Sequence, residues 1–202
     1  MNRATLEVLR QPLEDRRITI SRSKYTVEFP ASFMLIAAMN PCPCGNYNNP
    51  KIPCTCGPGV VQKYLGKISG PLLDRIDLHV EVKPLSNDEL LRKQTGESSS
   101  SVRERVVRAR NIQAERYQSC PDIHCNAQVN TKLLHQYCAI DEAGNQLMKV
   151  TMDRLGLSAR AYDRILKVAR TIADLSGSPT ITTEHLSEAI NFRSLDRDSW
   201  GR

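Results

Sequence analysis

Apolar and polar positions along this chain of 202 residues follow two different periods. Residues 1–15 place three leucines on one face of a helix, because positions three to four apart share a helix face. Residues 16–30 alternate instead, on either side of the polar stretch 21–24. This alternation predicts two strands joined as a β-hairpin, and the polar stretch gives the hairpin a basic tip.

A continuous apolar run, Phe33–Met39, follows the hairpin and is succeeded by Asn40. Short apolar runs bounded by turn residues are typical of central strands that are buried on both faces of a sheet. The next segment, 41–59, is rich in Gly, Pro and Cys and predicts a loop. A short helix is expected over Val60–Ile68 and a further strand over Leu78–Val82.

The rest of the chain carries a helical period almost throughout. We expect helices over residues 102–118, 131–138, 141–155, 159–176 and 183–192. Side chains that favour helix N-caps precede three of them, namely Asp141, Ser158 and either Thr182 or Thr183. Gly177 is expected to end the helix that Ser158 begins, because glycine adopts the left-handed conformation at helix ends.

These patterns predict a fold class of α/β plus all-α. Residues 1–85 form the α/β part, 86–101 form a polar linker rich in serine, and 102–202 form a helical domain. Because the chain begins within a helical pattern, we expect the natural polypeptide to extend upstream of Met1.

Charge and composition narrow the class of protein only modestly. The net charge of +6 and the pI of 9.0 favour an acidic partner such as nucleic acid or a nucleotide, although an ordinary basic soluble protein has the same balance. No apolar run approaches the roughly 20 residues of a membrane-spanning helix, and the first residues lack the apolar core of a signal peptide. We therefore expect a cytoplasmic protein with no membrane partner, whose seven cysteines are thiols or metal ligands.

Asn40 is the first candidate for chemistry. It follows the predicted buried strand, and ligands bind at the carboxyl edge of open α/β sheets. A side-chain amide there can hold a water molecule or a phosphate oxygen without adding charge. The structural alternative is that Asn-Pro simply starts a turn.

Arg75 is the second candidate. It follows the turn Gly70–Leu73 and precedes the predicted strand that begins at Leu78. A guanidinium held at a subunit edge can reach a neighbour's γ-phosphate and stabilise the transferring charge. The alternative is a surface salt bridge with Asp74 or Asp77.

Arg160 is the third candidate, and it lies in the first turn of a long amphipathic helix. A cation at a helix N-terminus opposes the helix dipole, and a bound phosphate would compensate for that mismatch. A solvated arginine is the alternative, and Arg164 is a second candidate for the same role.

The loop after Asn40 holds two Cys-x-Cys pairs, which are separated by nine residues: Cys42 and Cys44, then Cys54 and Cys56. Four thiolates around Zn²⁺ would tie such a loop into a knuckle, although Cys-x₂-Cys is the more usual spacing. The alternative is four reduced surface thiols. Zinc is favoured, because a polar loop of this composition does not fold by itself and needs a staple.

Taken in order, these features resemble a known family. The hairpin before FMLIAAMNPCPCG, the segment SGPLLDRIDLHVEV and the segment LSARAYDRILKVARTIADL are similar to the magnesium-chelatase-related AAA+ ATPases of bacteria, in particular the YifB/ComM group. The resemblance covers nearly the whole chain. It implies the C-terminal half of an AAA+ P-loop NTPase core followed by a helical lid.

The resemblance also implies roles for individual residues. Asn40 would be sensor 1, Arg75 the arginine finger that acts on ATP of the next subunit, and Arg160 sensor 2. Arg22 and Lys24, at the hairpin tip, would face the central pore of a homo-hexameric ring and bind DNA. ATP and Mg²⁺ would be the cofactors of the full-length protein.

The chain departs from the family at the phosphate-binding loop. Its nearest segment, 59–68, has six residues between the glycines where a P-loop has four, and Ile68 replaces the Ser or Thr that binds Mg²⁺. No apolar strand ends in Asp-Glu. We therefore expect the full-length protein to be an ATPase and the isolated chain to be inactive.

Three functions follow from these observations. The first is a motor that remodels or translocates DNA, as the resemblance to the ComM group implies for branch migration in transformation. The second is a chelatase-type ATPase motor for metal insertion. The third is a non-enzymatic, zinc-bearing interaction module.

Overall fold

The structure is a computed structural model that describes residues 2–82, 85, 91 and 96–193. It is mostly helical and contains a two-stranded sheet. The chain divides into two compact units, and the boundary lies between Ile76 and Asp77. Most of the predicted linker, including 86–90 and 92–95, lies outside the described residues.

The first unit begins with two short helices where the sequence predicts one. Helix α1 is Arg3–Glu7 and helix α2 is Arg10–Asp15. Pro12 explains the break, because proline lacks an amide hydrogen and its ring clashes with the carbonyl four residues earlier, which belongs to Val8. Val8 is the C-cap residue that follows α1.

The predicted hairpin is confirmed. Strand β1, Arg17–Arg22, pairs antiparallel with strand β2, Tyr25–Pro30. Apolar residues oppose each other on one face, as in the pair of Ile20 and Val27. Ser23 and Lys24 form the two-residue turn.

The prediction of a buried strand over Phe33–Met39 is wrong for the described structure. Residues 31–40 form neither helix nor strand, and Met34 and Ile36 are 82% and 81% exposed. A strand needs a hydrogen-bonded neighbour, and within the described residues only β1 and β2 pair. The apolar run is therefore present without the sheet that would bury it.

Two short helices complete the first unit. Helix α3, Val60–Leu65, begins where predicted but ends three residues early, at Gly66. Helix α4, Gly70–Leu73, is capped by Ser69, whose hydroxyl accepts a hydrogen bond of 3.3 Å from the backbone N–H of Leu72. The two leucines of α4 are buried and anchor the turn that precedes Arg75.

The second unit is helical, as predicted. Its helices are α5 (Ser99–Arg116), α6 (Thr131–Tyr137), α7 (Glu142–Leu155), α8 (Ala159–Leu175) and α9 (Thr183–Asn191), with a 3₁₀ turn at Asn126–Gln128. Helix α5 begins three residues earlier than expected, because Ser98 caps it by accepting a hydrogen bond from the N–H of Ser101. The serines at the end of the predicted linker are thus part of the helix.

The expected caps are confirmed at Asp141, Ser158 and Thr182. Each side chain accepts a hydrogen bond from the backbone N–H three residues later, which satisfies a donor that the helix itself leaves unpaired. His185 completes the third cap, since its ring nitrogen accepts a hydrogen bond of 3.1 Å from the N–H of Thr182. Gly177 follows α8 with a φ of 71°, as its predicted role requires.

The core of the second unit is built around α8. Ala161, Ile165, Ala169 and Ala173 are fully buried on its inner face, and the small alanines allow neighbouring helices to approach closely. Leu134 of α6, Met148 of α7 and Leu186 of α9 belong to the same apolar cluster. The prediction that this helix is amphipathic is therefore confirmed.

The prediction of a strand over Leu78–Val82 is also wrong. These residues form neither helix nor strand, and Val80 and Val82 are 67% and 87% exposed. His79 is buried, and its backbone N–H donates a hydrogen bond of 2.7 Å to the carbonyl of Phe192. That bond secures the segment within the second unit and takes the place of a strand ladder.

Candidate functional site

The four cysteines of the loop converge on one point, as the two Cys-x-Cys pairs predict. The Sγ atom of Cys42 lies 3.3 Å from that of Cys44 and 3.7 Å from that of Cys54, and the latter two are 3.5 Å apart. All four Sγ atoms, with Cys56 as the fourth, lie within 4.8 Å of one another. Nothing else in the described part of the chain groups three or more such ligands.

Local backbone geometry brings these thiols together. Gly45 has a φ of 82°, a conformation that favours glycine, and its N–H donates a hydrogen bond of 3.0 Å to the carbonyl of Cys42. The N–H of Tyr47 donates to the Sγ of Cys42 at 3.3 Å. Cys42 is fully buried and packs in one apolar cluster with Val61 and Leu65 of α3, so the cysteine loop packs against this helix.

The electrostatics of the cluster favour ionised sulfur at one position. Hydrogen bonds from the backbone of Asn46 and Thr55, together with the Cys42 side chain, lower the pKa of Cys44 to about 5. At Cys54 the backbone N–H of Cys56 lowers the pKa, but burial and the neighbouring sulfurs raise it more, to about 12. Metal ligands bind as thiolates, so the lowered pKa of Cys44 favours metal binding at that position.

The spacing of the sulfurs fits zinc better than a disulfide. A disulfide requires an S–S distance of about 2.05 Å, which is far shorter than any of these separations. Tetrahedral Zn²⁺ with Zn–S bonds of about 2.3 Å places its sulfurs roughly 3.8 Å apart. The observed separations of 3.3 to 3.7 Å are slightly shorter than that value, so these three sulfurs need only move apart by a few tenths of an ångström to accommodate Zn²⁺.

Asn40 lies at the entrance to this loop, two residues before Cys42. It is exposed, and the segment that leads to it is not a strand. The expectation that Asn40 ends a buried strand is therefore not met within the described residues, although the amide is accessible from solvent.

Arg75 is held by a residue that sequence reasoning missed. Its Nη2 lies 2.5 Å from Oε2 of Glu14, and its Nη1 donates a hydrogen bond of 2.6 Å to the carbonyl of Pro71. The arginine side chain is only 10% exposed. The predicted alternatives were Asp74 and Asp77. Sequence gives no signal for Glu14, which lies 61 positions away in α2.

Arg160 lies in the first turn of α8, where it was predicted, and it is exposed. Arg164, the second candidate, forms an ion pair with Asp77 of the same unit. Of the two arginines, Arg160 has the more accessible side chain for a phosphate.

The hairpin tip carries the two cations that were predicted there. Arg22 is the last residue of β1 and Lys24 lies in the turn, and both are exposed. In the described part of the chain, no ion pair engages either side chain. The acidic residue of the hairpin, Glu28, pairs instead with Arg17 at the opposite end, at 3.4 Å.

A buried charged network in the second unit was not predicted. The carboxylate of Asp174 accepts hydrogen bonds from Arg116 at 2.5 and 2.8 Å, from Asn126 at 2.8 Å and from Arg170 at 3.1 Å. Burial raises the pKa of Asp174, but the hydrogen bonds from Arg116 and Asn126 outweigh it and hold the pKa below its usual range. Tyr117 donates to Asn126 at 2.8 Å, and burial raises its pKa to about 12.

One part of this network was visible in the sequence, since Arg170 and Asp174 are four residues apart on a helix. Arg116 lies 58 positions from Asp174, so only the folded chain shows that they meet. The network ties α5 and the 3₁₀ turn to α8 and gives this unit a polar anchor beside its apolar core.

Among the described helices, none is both long enough and apolar enough to cross a bilayer.

Comparison with known proteins places the chain in a family. The family described as magnesium chelatase, subunit ChlI, matches residues 1–90, and the family described as magnesium chelatase, subunit ChlI C-terminal, matches residues 96–193. The two matches are separated by five residues and together cover most of the sequence.

Curated relatives agree with this placement. The chain is 42% identical over 197 residues to the protein YifB of Escherichia coli (strain K12), and 42% identical over 196 residues to the competence protein ComM of Haemophilus influenzae. Each alignment covers 96% of this chain and 37% of the relative. An uncharacterized protein of Mycobacterium tuberculosis, Rv2897c, is 38% identical over 94% of this chain and 37% of its own length.

The chain belongs to the magnesium-chelatase-related proteins, in the group that contains YifB and ComM. It spans 37% of the length of these curated relatives.

Proposed function

We propose that this chain is part of a ring-forming AAA+ ATPase that couples ATP hydrolysis to the remodelling or translocation of DNA. The observation that carries the proposal is the hairpin tip, where Arg22 and Lys24 are exposed and no acidic side chain in the described part of the chain pairs with them. Phosphates of a nucleic acid are the natural counter-charges for such a pair. The similarity to a protein named for competence supports the same assignment.

The nucleotide-sensing roles fall on three residues. Asn40 would orient the attacking water from its own subunit, Arg75 would stabilise the γ-phosphate held by the next subunit, and Arg160 would contact a phosphate from the lid. The accessibility of Asn40 and Arg160 supports this assignment. Residues 102–202 form the lid in this proposal, residues 1–85 belong to the AAA+ core, and 86–101 link them.

Arg75 needs a change of partner to act as an arginine finger. In the structure its guanidinium contacts Glu14 and the Pro71 carbonyl. The carboxylate of Glu14 is 34% exposed, so water screens its attraction. A triphosphate carries several negative charges where Glu14 carries one, and it can therefore displace Glu14 when a neighbouring subunit delivers it.

Zinc is proposed as a structural ion of the cysteine loop. Cys42, Cys44, Cys54 and Cys56 supply the four thiolates that a closed tetrahedral site uses, and such sites are structural where no position stays open. The ion would hold the loop against α3, directly after Asn40. Its part in the motor is to fix the position of that amide.

ATP hydrolysis itself belongs to the longer polypeptide in this proposal, because the chain matches 37% of its relatives' length and has no P-loop sequence. ATP and Mg²⁺ would bind in the assembled homo-hexamer. Other parts of that polypeptide would supply the strands that cover the exposed run Phe33–Met39. We further propose a cytoplasmic location.

The experiment that tests this function is DNA binding by the polypeptide expressed from its complete natural reading frame. Affinity for forked DNA is measured across a salt series, and the expected result is a steep fall with salt, since each phosphate contact releases a counterion. The double variant Arg22→Ala with Lys24→Ala should flatten that dependence, whereas Arg17→Ala, at the other end of the hairpin, serves as the matched control. Absence of binding at low salt would contradict the proposal.

A chelatase-type motor is the second candidate, because both matching families carry the name of magnesium chelatase. It predicts that a porphyrin stimulates ATP hydrolysis by the complete polypeptide. Stimulation by porphyrin and not by DNA would favour this candidate over the first.

A further inference from the structure

We propose that Tyr25 stacks on the bases of single-stranded nucleic acid, next to the phosphate contacts of Arg22 and Lys24. The inference rests on the proposed function and extends it, since it assigns a base-contacting residue and a strand state to the hairpin tip. No family match or relative assigns a role to this tyrosine.

The register of the hairpin places the aromatic ring beside the cation. Arg22 and Tyr25 are the last directly opposed pair before the two-residue turn. Directly opposed residues of an antiparallel pair project from the same face, with Cβ atoms about 4.5–5.5 Å apart. The phenol ring and the guanidinium therefore emerge side by side, and Lys24 follows in the turn between the strands.

The opposite face of the tip keeps this platform in place. Ser21 and Thr26, which form the preceding pair, share a hydrogen bond of 3.0 Å between their hydroxyl oxygens. The pair of residues directly before Arg22 and Tyr25 in the ladder is thus joined by its side chains as well as by the strand pairing. A base that stacks on Tyr25 would meet a ring that is already positioned.

Exposure and charge point to nucleic acid as the occupant. Tyr25 is 67% exposed, so its ring is available for a face-on contact. The hairpin has a single acidic residue, Glu28, and Arg17 neutralises it at the far end. What remains at the tip is an aromatic surface flanked by two cations, which is the combination that single-strand binding grooves use, with rings for the bases and cations for the backbone.

An apolar packing role is the competing explanation for Tyr25. The ring lies on the same face as Ile18, Ile20, Val27 and Phe29, and it could simply continue that apolar surface. A leucine would preserve such packing but cannot stack on a base. Replacement by leucine and by phenylalanine therefore separates the two explanations.

The test uses the complete polypeptide with two oligonucleotides of equal length, oligo-dT and an abasic strand with the same backbone. We expect Tyr25→Leu to weaken oligo-dT binding about tenfold, which is the order of one lost base–aromatic stack, and to leave the salt dependence unchanged. Tyr25→Phe should bind like the unchanged protein. Binding of the abasic strand should not respond to either replacement, because it offers no base to stack.

Two further variants serve as controls for this experiment, one that should have no effect and one that should remove the phosphate contacts. Tyr47→Leu, which replaces a tyrosine outside the hairpin that is 40% exposed, should leave both affinities unchanged. Arg22→Ala with Lys24→Ala should weaken binding of both oligonucleotides and lower the slope of affinity against salt, by about 0.7 for each lost phosphate contact.

Some outcomes refute only the stacking role of Tyr25, and others also refute the proposed DNA function. If Tyr25→Leu binds oligo-dT as tightly as the unchanged protein while the double variant binds more weakly, the stacking role is refuted and the proposed function stands. An equal loss on the abasic strand refutes base stacking as well. If the unchanged polypeptide binds neither oligonucleotide at low salt, both the inference and the DNA function fail.

Discussion

Arg75 and Glu14 form an ion pair of 2.5 Å between the end of helix α2 and the turn after α4. The pair joins residues that are 61 positions apart in the sequence. It holds the side chain of Arg75, the proposed arginine finger, in a position where only 10% of that side chain is exposed. It therefore both stabilises the first unit and sets the resting position of Arg75.

Removing the carboxylate should measurably destabilise the first unit. Glu14→Gln leaves a nearly buried guanidinium without its ionic partner, and we expect the free energy of unfolding to fall by about 2 kcal/mol, as for other hydrogen bonds to charged groups. Denaturant titration of the 202-residue chain measures the loss.

The matched control for this variant is Glu28→Gln, which breaks the exposed pair with Arg17. Exposed pairs contribute about 0.5 kcal/mol, so the control should change little. Equal effects of the two replacements would show that the Glu14 pair is an ordinary surface contact.

The cysteine loop should carry one zinc ion per chain. Elemental analysis of the purified protein is expected to find it, and Cys42→Ser should lose it, because removal of the buried ligand opens the tetrahedral site. Cys120→Ser replaces a thiol that lies outside the cluster and should keep the full zinc content.

A zinc content of zero in protein prepared without chelators would contradict this assignment. Retention of a full equivalent by Cys42→Ser would do so as well, since the ion would then be bound elsewhere.

The network around Asp174 predicts a specific pH dependence of stability. The pKa of Asp174 is lower in the folded protein than in the unfolded chain, so the folded state favours the ionised carboxylate. Its contribution is present in full above the unfolded value of about 3.9 and is lost as the pH falls through the folded value. Asp174→Asn should therefore be destabilised by about 3 kcal/mol near pH 7.

The difference between this variant and the unchanged protein should shrink as the pH falls below about 4, because the carboxyl of the unfolded chain is then protonated and the folded carboxylate loses its advantage as the pH approaches its own lower pKa. Denaturant titrations at pH 7 and at pH 3 measure it. Asp153→Asn, on the exposed side of α7, is the matched control and should show no such difference. A deficit of Asp174→Asn that is the same at both pH values would contradict the account.

Sequence reasoning succeeded where the decisive interactions are local. The caps at Asp141, Ser158 and Thr182 depend on residues within three positions, and the hairpin depends on an alternating pattern around a turn. The cysteine cluster was also within reach, because two Cys-x-Cys pairs each bring their sulfurs together before any folding at long range.

The same reasoning failed where an element depends on residues that are distant in the sequence or on a neighbouring strand that the described residues do not contain. The apolar run Phe33–Met39 has the composition of a buried strand, but a strand exists only beside another strand, and composition cannot supply one. The Glu14 and Arg116 contacts were missed for a related reason. Both join residues about 60 positions apart, and no periodicity or spacing rule spans that distance.

The central claim is that the hairpin tip couples DNA to ATP hydrolysis, and DNA-stimulated ATPase activity of the complete polypeptide tests it most directly. We expect forked DNA to raise the rate of ATP hydrolysis several-fold, and the double replacement of Arg22 and Lys24 by alanine to abolish that stimulation while the rate without DNA is kept. Arg75→Ala should lower both rates by at least about 100-fold, as the loss of an arginine finger does. An ATPase rate that is indifferent to DNA, or a stimulation that the double variant retains in full, would contradict the account.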